Sequence, residues 1–169
     1  MCAPDRERSG MSNAITLHDS IRLVEEKDKL FVLSGTPADC VILSSLGLIK
    51  EKIDLVVSGI NHGPNLGRDI MYSGTAAAAR QAGFDGIPAI AMSINAWQKD
   101  FDFNLVRDFL DRHFLKLYEA LSSSFFFNIN FPNLPSEMVK GVKLTFPCRR
   151  YHYQDELVHF DSPFQGRYF

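Results

Sequence analysis

The sequence predicts an α/β fold built on a mainly parallel sheet flanked by helices, and three observations carry that prediction. Two short, continuous apolar runs, Asp54–Ser58 (DLVVS) and Ile87–Ser93 (IPAIAMS), read as strands buried on both faces. The stretch between them, Gly74–Gly83 (GTAAAARQAG), reads as a helix capped by Ser73 or Thr75 and stopped by Gly83. Strand, loop, helix and strand make a βαβ unit, whose crossover is right-handed in nearly all proteins. A chain of 169 residues suits one domain with a real core.

The remaining elements follow in chain order. Ile15–Leu17, Ile21–Val24 and Leu30–Leu33 are short β-like runs, with turn residues at Asp19–Ser20 and Lys27–Lys29 between them. In GTPADCVILSSLGLI, Thr36 can cap a helix, Pro37 suits its first position, and Asp39 stands three residues after the cap near the positive helix end. Gly47 is placed to end that helix. From about Asp102 to Leu121 a helical pattern sets Phe103, Val106, Phe109, Leu110, Phe114, Leu117 and Leu121 on one face. FFFNINF and GVKLTF read as further strands. From Pro147 the pattern turns short, aromatic and irregular, which reads as the start of an extension or oligomerisation arm at 147–169.

Composition excludes several classes of function. A formal net charge of −2 gives no bulk attraction to nucleic acid or to an anionic membrane. No apolar run approaches the ~18 residues that a membrane span requires. The opening MCAPDRERSG is charged early and does not read as a signal peptide. Cys2, Cys40 and Cys148 are far apart and odd in number, with no CxxC, so neither a disulfide framework nor a zinc site is indicated. A reducing cytoplasm is the expected compartment.

Chemistry concentrates in Ser58–Thr75 (SGINHGPNLGRDIMYSGT), about twice the usual length of a strand-to-helix connection. In open parallel sheets ligands sit beyond the carboxyl ends of the strands. A helix start there offers unpaired N–H groups and partial positive charge, which suits phosphate. Ser73 and Thr75 add hydroxyls, and Gly74 permits close backbone approach. Asn61 and Asn65 supply carbonyls for a hard cation and amides for phosphate oxygens. The same residues would equally serve a structured turn with caps, and spacing does not separate the two readings. The glycines do not make GxGxxG, and no GK[ST] follows. His62 has no partner identifiable in the sequence and reads as a polar loop histidine. DRER at Asp5–Arg8 reads as a solvated charge run.

Taken together, APDRERSGMSNAITL, GTPADCV, DLVVSGINHGPNLGRDIMYSGTAAAA, IPAIAMS and FNINFPNLP occur in order and at suitable distances. This set resembles the SurE survival-protein family of nucleotidases over nearly the whole chain. The resemblance implies a Rossmann-like α/β core and a metal-dependent phosphatase, which hydrolyses nucleoside 5′- and 3′-monophosphates with Mg²⁺ or Mn²⁺. It implies homodimers or homotetramers joined through C-terminal arms. It matches Ser9 and Asn61 to metal ligands, and Asn65, Ser73, Gly74 and Thr75 to the phosphate site. The family's other two metal ligands, adjacent aspartates in an Asp-Asp-Gly after its first strand, have no counterpart among these residues, so no catalytic residue is assigned. The expectation is therefore a single α/β domain over 1–169, incomplete at both ends, as a fragment or truncated gene model. The alternative is a short, non-catalytic phosphate-binding or oligomer-forming module. Base preference and 5′ versus 3′ preference cannot be read from these motifs.

Overall fold

The computed structural model describes residues 1–96 and 101–148, together with the backbone of Phe160–Asp161 and Arg167–Tyr168. The strands of the two larger sheets, in chain order, are β1 (Cys2–Pro4), β2 (Leu23–Lys27), β3 (Leu30–Leu33), β4 (Val56–His62), β5 (Ala89–Asn95) and β6 (Phe126–Pro132). The helices are α1 (Pro37–Leu43), α2 (Asp69–Tyr72), α3 (Gly74–Phe84) and α4 (Asn104–Ala120). One sheet has the order β1-β3-β2, with β1 parallel and β2 antiparallel to β3. A second has the order β4-β5-β6 and is parallel throughout.

The second sheet is the predicted βαβ core. β5 alternates between two packing partners, as a strand buried on both faces must. Ile90, Met92 and Ile94 join Leu105, Val106 and Phe131 in the cluster beneath α4. Ala89 and Ala91 join Ala78, Ala79 and Ala82 of α3, with Val41 of α1. Alanine on both sides lets helix and sheet backbones approach closely. Helices therefore cover both faces of this sheet.

The alternation continues in β6. Phe127, Ile129 and Phe131 lie on the α4 side, while Phe126 lies on the α3 side. Asn128 and Asn130 share the face of Phe126 by the same period of two. Gly59 supplies the one special conformation in β4, with φ +115°, where the β4–β5 register shifts between Ser58 and Asn61. A Cβ at Gly59 would stand 2.3 Å from the Met92 carbonyl oxygen, so no other residue fits without movement.

Several expectations need correction. Ile15–Leu17 is not a strand, whereas Cys2–Pro4, too short to carry a pattern, is one. GVKLTF forms no strand; Val142, Leu144 and Phe146 are exposed there, and β-propensity without a paired neighbour does not make a sheet. Phe103 and Phe114 are also exposed, and α4 is buried chiefly through Leu105 and Val106. α1 ends at Leu43 and passes into a wider turn over Ser44–Leu48, where Gly47 takes φ 121°. Within the expected extension at 147–169, Phe160–Asp161 and Arg167–Tyr168 pair antiparallel, and most other residues of that stretch lie outside those described. Among the described residues no helix is long and apolar enough to cross a membrane.

The two three-stranded sheets do not hydrogen-bond to each other among the described residues. A cavity of about 530 Å³ lies between their outer strands, walled by Met1–Pro4, by Pro37, Cys40 and Ser44, and by Val56–Gly59. β1 and β4 run in the same direction, since the residues that follow each strand meet at the site described next.

Candidate functional site

The first turn of α1 fixes one wall. Thr36 is the helix cap: its hydroxyl accepts from the Asp39 N–H at 3.1 Å, and Asp39 Oδ2 accepts from the Thr36 N–H at 2.8 Å. Asp39 also accepts from the Thr16 hydroxyl at 2.7 Å and the Thr16 N–H at 3.1 Å. Burial pushes the Asp39 carboxyl upward, but hydrogen bonds from Thr36 and Thr16 outweigh it and hold the group below its ordinary range. Pro37, at the first helical position, then rests against Gly74, where an added Cβ would lie 3.0 Å from Pro37 Cγ and 3.5 Å from the Arg8 carbonyl oxygen. Three separate motifs thus meet at one glycine.

α3 fixes the second wall. Ser73 caps it, its hydroxyl accepting from the Ala76 N–H at 3.0 Å. The Ser73 N–H is taken by the Asp69 carbonyl at 2.9 Å. The amides of Gly74 and Thr75 are in the first turn, beyond the reach of any intrahelical carbonyl.

The loop between β4 and α2 fixes the third. Gly63 donates its N–H to the Ile94 carbonyl at 3.0 Å. Asn65 is 5% exposed and tied to two strands at once. Its N–H donates to Asn130 Oδ1 at 2.8 Å and its side-chain amide to Ser93 Oγ at 2.5 Å. Its carbonyl accepts from the side-chain amides of Asn128 at 2.8 Å and Asn130 at 3.1 Å. Asn65 is thus a clamp that holds the loop over the ends of β5 and β6.

These walls enclose an open cavity of about 640 Å³. All six residues singled out from the sequence, Ser9, Asn61, Asn65, Ser73, Gly74 and Thr75, line it. Asn61 belongs to the end of β4 rather than to a loop, and its side-chain amide donates to the Gly63 carbonyl at 2.8 Å. Ser9 is exposed and its hydroxyl donates to Glu7 Oε1 at 2.6 Å. His62, at the mouth, sets its ring 5.0 Å from that of Phe101.

Sequence reasoning missed part of the lining. Glu7, Arg8, Asp69 and Tyr72 also face the cavity. Arg8 is no solvated charge: its side chain is 14% exposed, and its guanidinium donates to the Ser34 carbonyl and to Asp5. Asp69, at the start of α2, stands on the wall. The clamp partners Ser93, Asn128 and Asn130 were missed as well. Their one signal is the N-x-N spacing in a strand, which puts both amides on one face.

The donor chemistry sets limits. The oxygens of Ser9, Asn61, Glu7 and Asp69 suit a hard cation in type. In arrangement they fall short, because among the described residues no three His, Cys, Asp or Glu side chains converge to hold a metal. Ser9 and Asn61 are neutral, so the set as it stands does not fit a tightly held divalent ion.

Comparison with known proteins places this geometry. The family model described as "Survival protein SurE" matches residues 1–154. The chain is 43% identical over 150 residues to a 5′-nucleotidase SurE of Syntrophomonas wolfei, covering 86% of this chain and 57% of that protein. It is 41% identical over 162 residues to a 5′/3′-nucleotidase SurE of Klebsiella pneumoniae, covering 95% and 63% respectively. The crystal structure of the SurE protein from Aquifex aeolicus is similar with a TM-score of 0.83 at 34% identity, covering 99% of this chain and 68% of that one. The chain thus spans about three-fifths of the length of the curated relatives it matches.

Proposed function

The chain belongs to the SurE family, and on that premise we propose that it carries the phosphate-holding part of a phosphomonoesterase site for nucleoside 5′- and 3′-monophosphates. One observation supports this most: residues from three separated motifs line a single cavity at the start of α3. The phosphate sits against the Gly74 and Thr75 amides, where a helix start favours negative charge. Asn65 shapes this cradle more than it donates to it, since its side-chain amide already holds the clamp, whereas the Ser73 hydroxyl only accepts in the cap and keeps its O–H for a phosphate oxygen. Ser9 and Asn61 are the oxygen ligands that these residues offer to Mg²⁺ or Mn²⁺. Glu7 and Asp69 place negative charge beside a phosphate, an arrangement that a cation would relieve. The family resemblance further supports a homodimer or homotetramer of the full-length form, and the cysteine usage a reducing cytoplasm.

The neutral character of Ser9 and Asn61 favours docking over turnover in the 169-residue chain. The test combines titration calorimetry of several nucleoside monophosphates with phosphate release in Mn²⁺ or Mg²⁺. Saturable binding with weak turnover is expected. In a longer chain that carries the family's Asp-Asp-Gly segment, Asn61→Ala should lower metal-dependent release about tenfold more than His62→Ala, the effect of ~1.4 kcal/mol of lost transition-state stabilisation. Equal losses from the two substitutions would remove Asn61 from the metal site. Absence of saturable binding would sink the phosphate cradle.

A further inference from the structure

The cavity at the start of α3 is larger than a phosphate alone requires. At about 640 Å³ it falls in the range of roughly 300–1,000 Å³ that suits a whole small molecule. Its mouth carries the His62 ring. That ring is held from two sides. His62 closes β4, where it pairs with Ile94 of β5. The Phe101 ring lies 5.0 Å from it, centroid to centroid, at an interplanar angle of 33°. Phe101 in turn packs against the core cluster beneath α4 and meets the edge of Phe103 at 4.8 Å and 88°. A flat ring on the cavity wall is thus backed by a fixed aromatic wall, and a planar ligand group stacks best on such a surface.

We propose that His62, backed by Phe101, is the platform on which the base of a nucleoside monophosphate stacks when its phosphate occupies the Gly74–Thr75 cradle. The proposal rests on the phosphate reading above and adds the subsite that holds the other end of the same ligand. His62 serves here through the face of its ring, not as an acid, a base or a metal ligand. Every base has such a face, so stacking is tolerant of base identity, and purine and pyrimidine monophosphates share the platform. Phe101 is a positioning residue: it touches His62, and His62 touches the base.

The test is titration calorimetry of the 169-residue chain with adenosine 5′-monophosphate and with ribose 5-phosphate, which has the sugar and phosphate but no base. The nucleotide should bind about tenfold more tightly, within the range that stacking on one aromatic side chain provides. His62→Ala should remove that advantage and leave the affinity for ribose 5-phosphate unchanged. His62→Phe, which keeps a ring without the nitrogens, should restore it. The fluorescence of 2-aminopurine riboside 5′-monophosphate, which stacking quenches, should fall on binding to the unchanged chain and to His62→Phe, and stay high with His62→Ala.

Equal affinity for nucleotide and ribose 5-phosphate would overturn the platform and leave the phosphate cradle standing. Failure of both ligands to bind would remove cradle and platform together. A loss from His62→Phe as large as that from His62→Ala would assign the contact to the imidazole nitrogens and overturn the stacking role. So would an advantage that Tyr72→Ala removes and His62→Ala keeps, since Tyr72 also lines the cavity. The comparison of the two ligands on the unchanged chain requires no substitution to fold.

Discussion

Asp39 shows how much a single carboxylate can be asked to do. It completes the α1 cap and also anchors the Ala14–Thr16 segment, through hydrogen bonds from Thr36 and Thr16. Its carboxyl titrates below the ordinary range in the folded chain. A depressed folded value means that the stabilisation is fully present above the unfolded value of roughly 4. It is lost as pH falls from there through the lower folded value. Urea midpoints measured from pH 7 down to pH 3 should therefore drop over the acid end, and Asp39→Asn should flatten that drop while lowering stability at pH 7 by about 1–2 kcal/mol. A midpoint curve unchanged in shape by Asp39→Asn would assign the acid loss elsewhere. The cap was legible from Thr36, Pro37 and Asp39 because capping is local. The second duty, holding Thr16, was not, because it joins residues that only the fold brings together. Asn65 repeats the lesson: its presence in a polar loop could be read, but its partners Ser93, Asn128 and Asn130 come from two other strands.

At the scale of elements, β4 and α3 carry the site through their two ends. β4 reaches Asn61 only by way of the register shift at Gly59, and α3 begins only because Ser73 caps it. Ser73→Ala should cost about 1 kcal/mol of unfolding free energy, the usual worth of such a cap. Gly59→Ala should cost more, since the backbone conformation is strained for any other residue, about 1–3 kcal/mol in itself, and a Cβ would meet the Met92 carbonyl oxygen. Urea unfolding of the two variants checks the order; a milder effect for Gly59→Ala would mean that β4 can shift away from β5. The βαβ unit was legible because both its strands are apolar runs and its helix is rich in alanine on the face it buries. GVKLTF misled for the opposite reason. Its alternating pattern satisfies a strand locally, but a strand exists only where a neighbour offers hydrogen bonds.

At the scale of the whole molecule, the described residues hold two three-stranded sheets and one short two-stranded pair, with β1 and β4 as neighbours that share a cavity instead of a ladder. That cavity has a consequence for how the chain behaves in a crowd. An outer strand that lacks a partner is a template, and any extended segment of another molecule can be copied onto it. Natural proteins blunt such templates with lysine, proline or a covering element, yet β4 presents Val56 and Val57, with Val57 48% exposed, and no charge. Light scattering should accordingly register assemblies that grow with protein concentration beyond any closed dimer or tetramer. Val57→Lys should suppress that growth, by placing a charge that resists desolvation where an incoming strand would lie. Open-ended growth undiminished by Val57→Lys would point to the exposed Val142, Leu144 and Phe146 instead. The space beside the Cys2 thiol would then be the quieter of the two surfaces, and the chain's solubility would be governed from its other end.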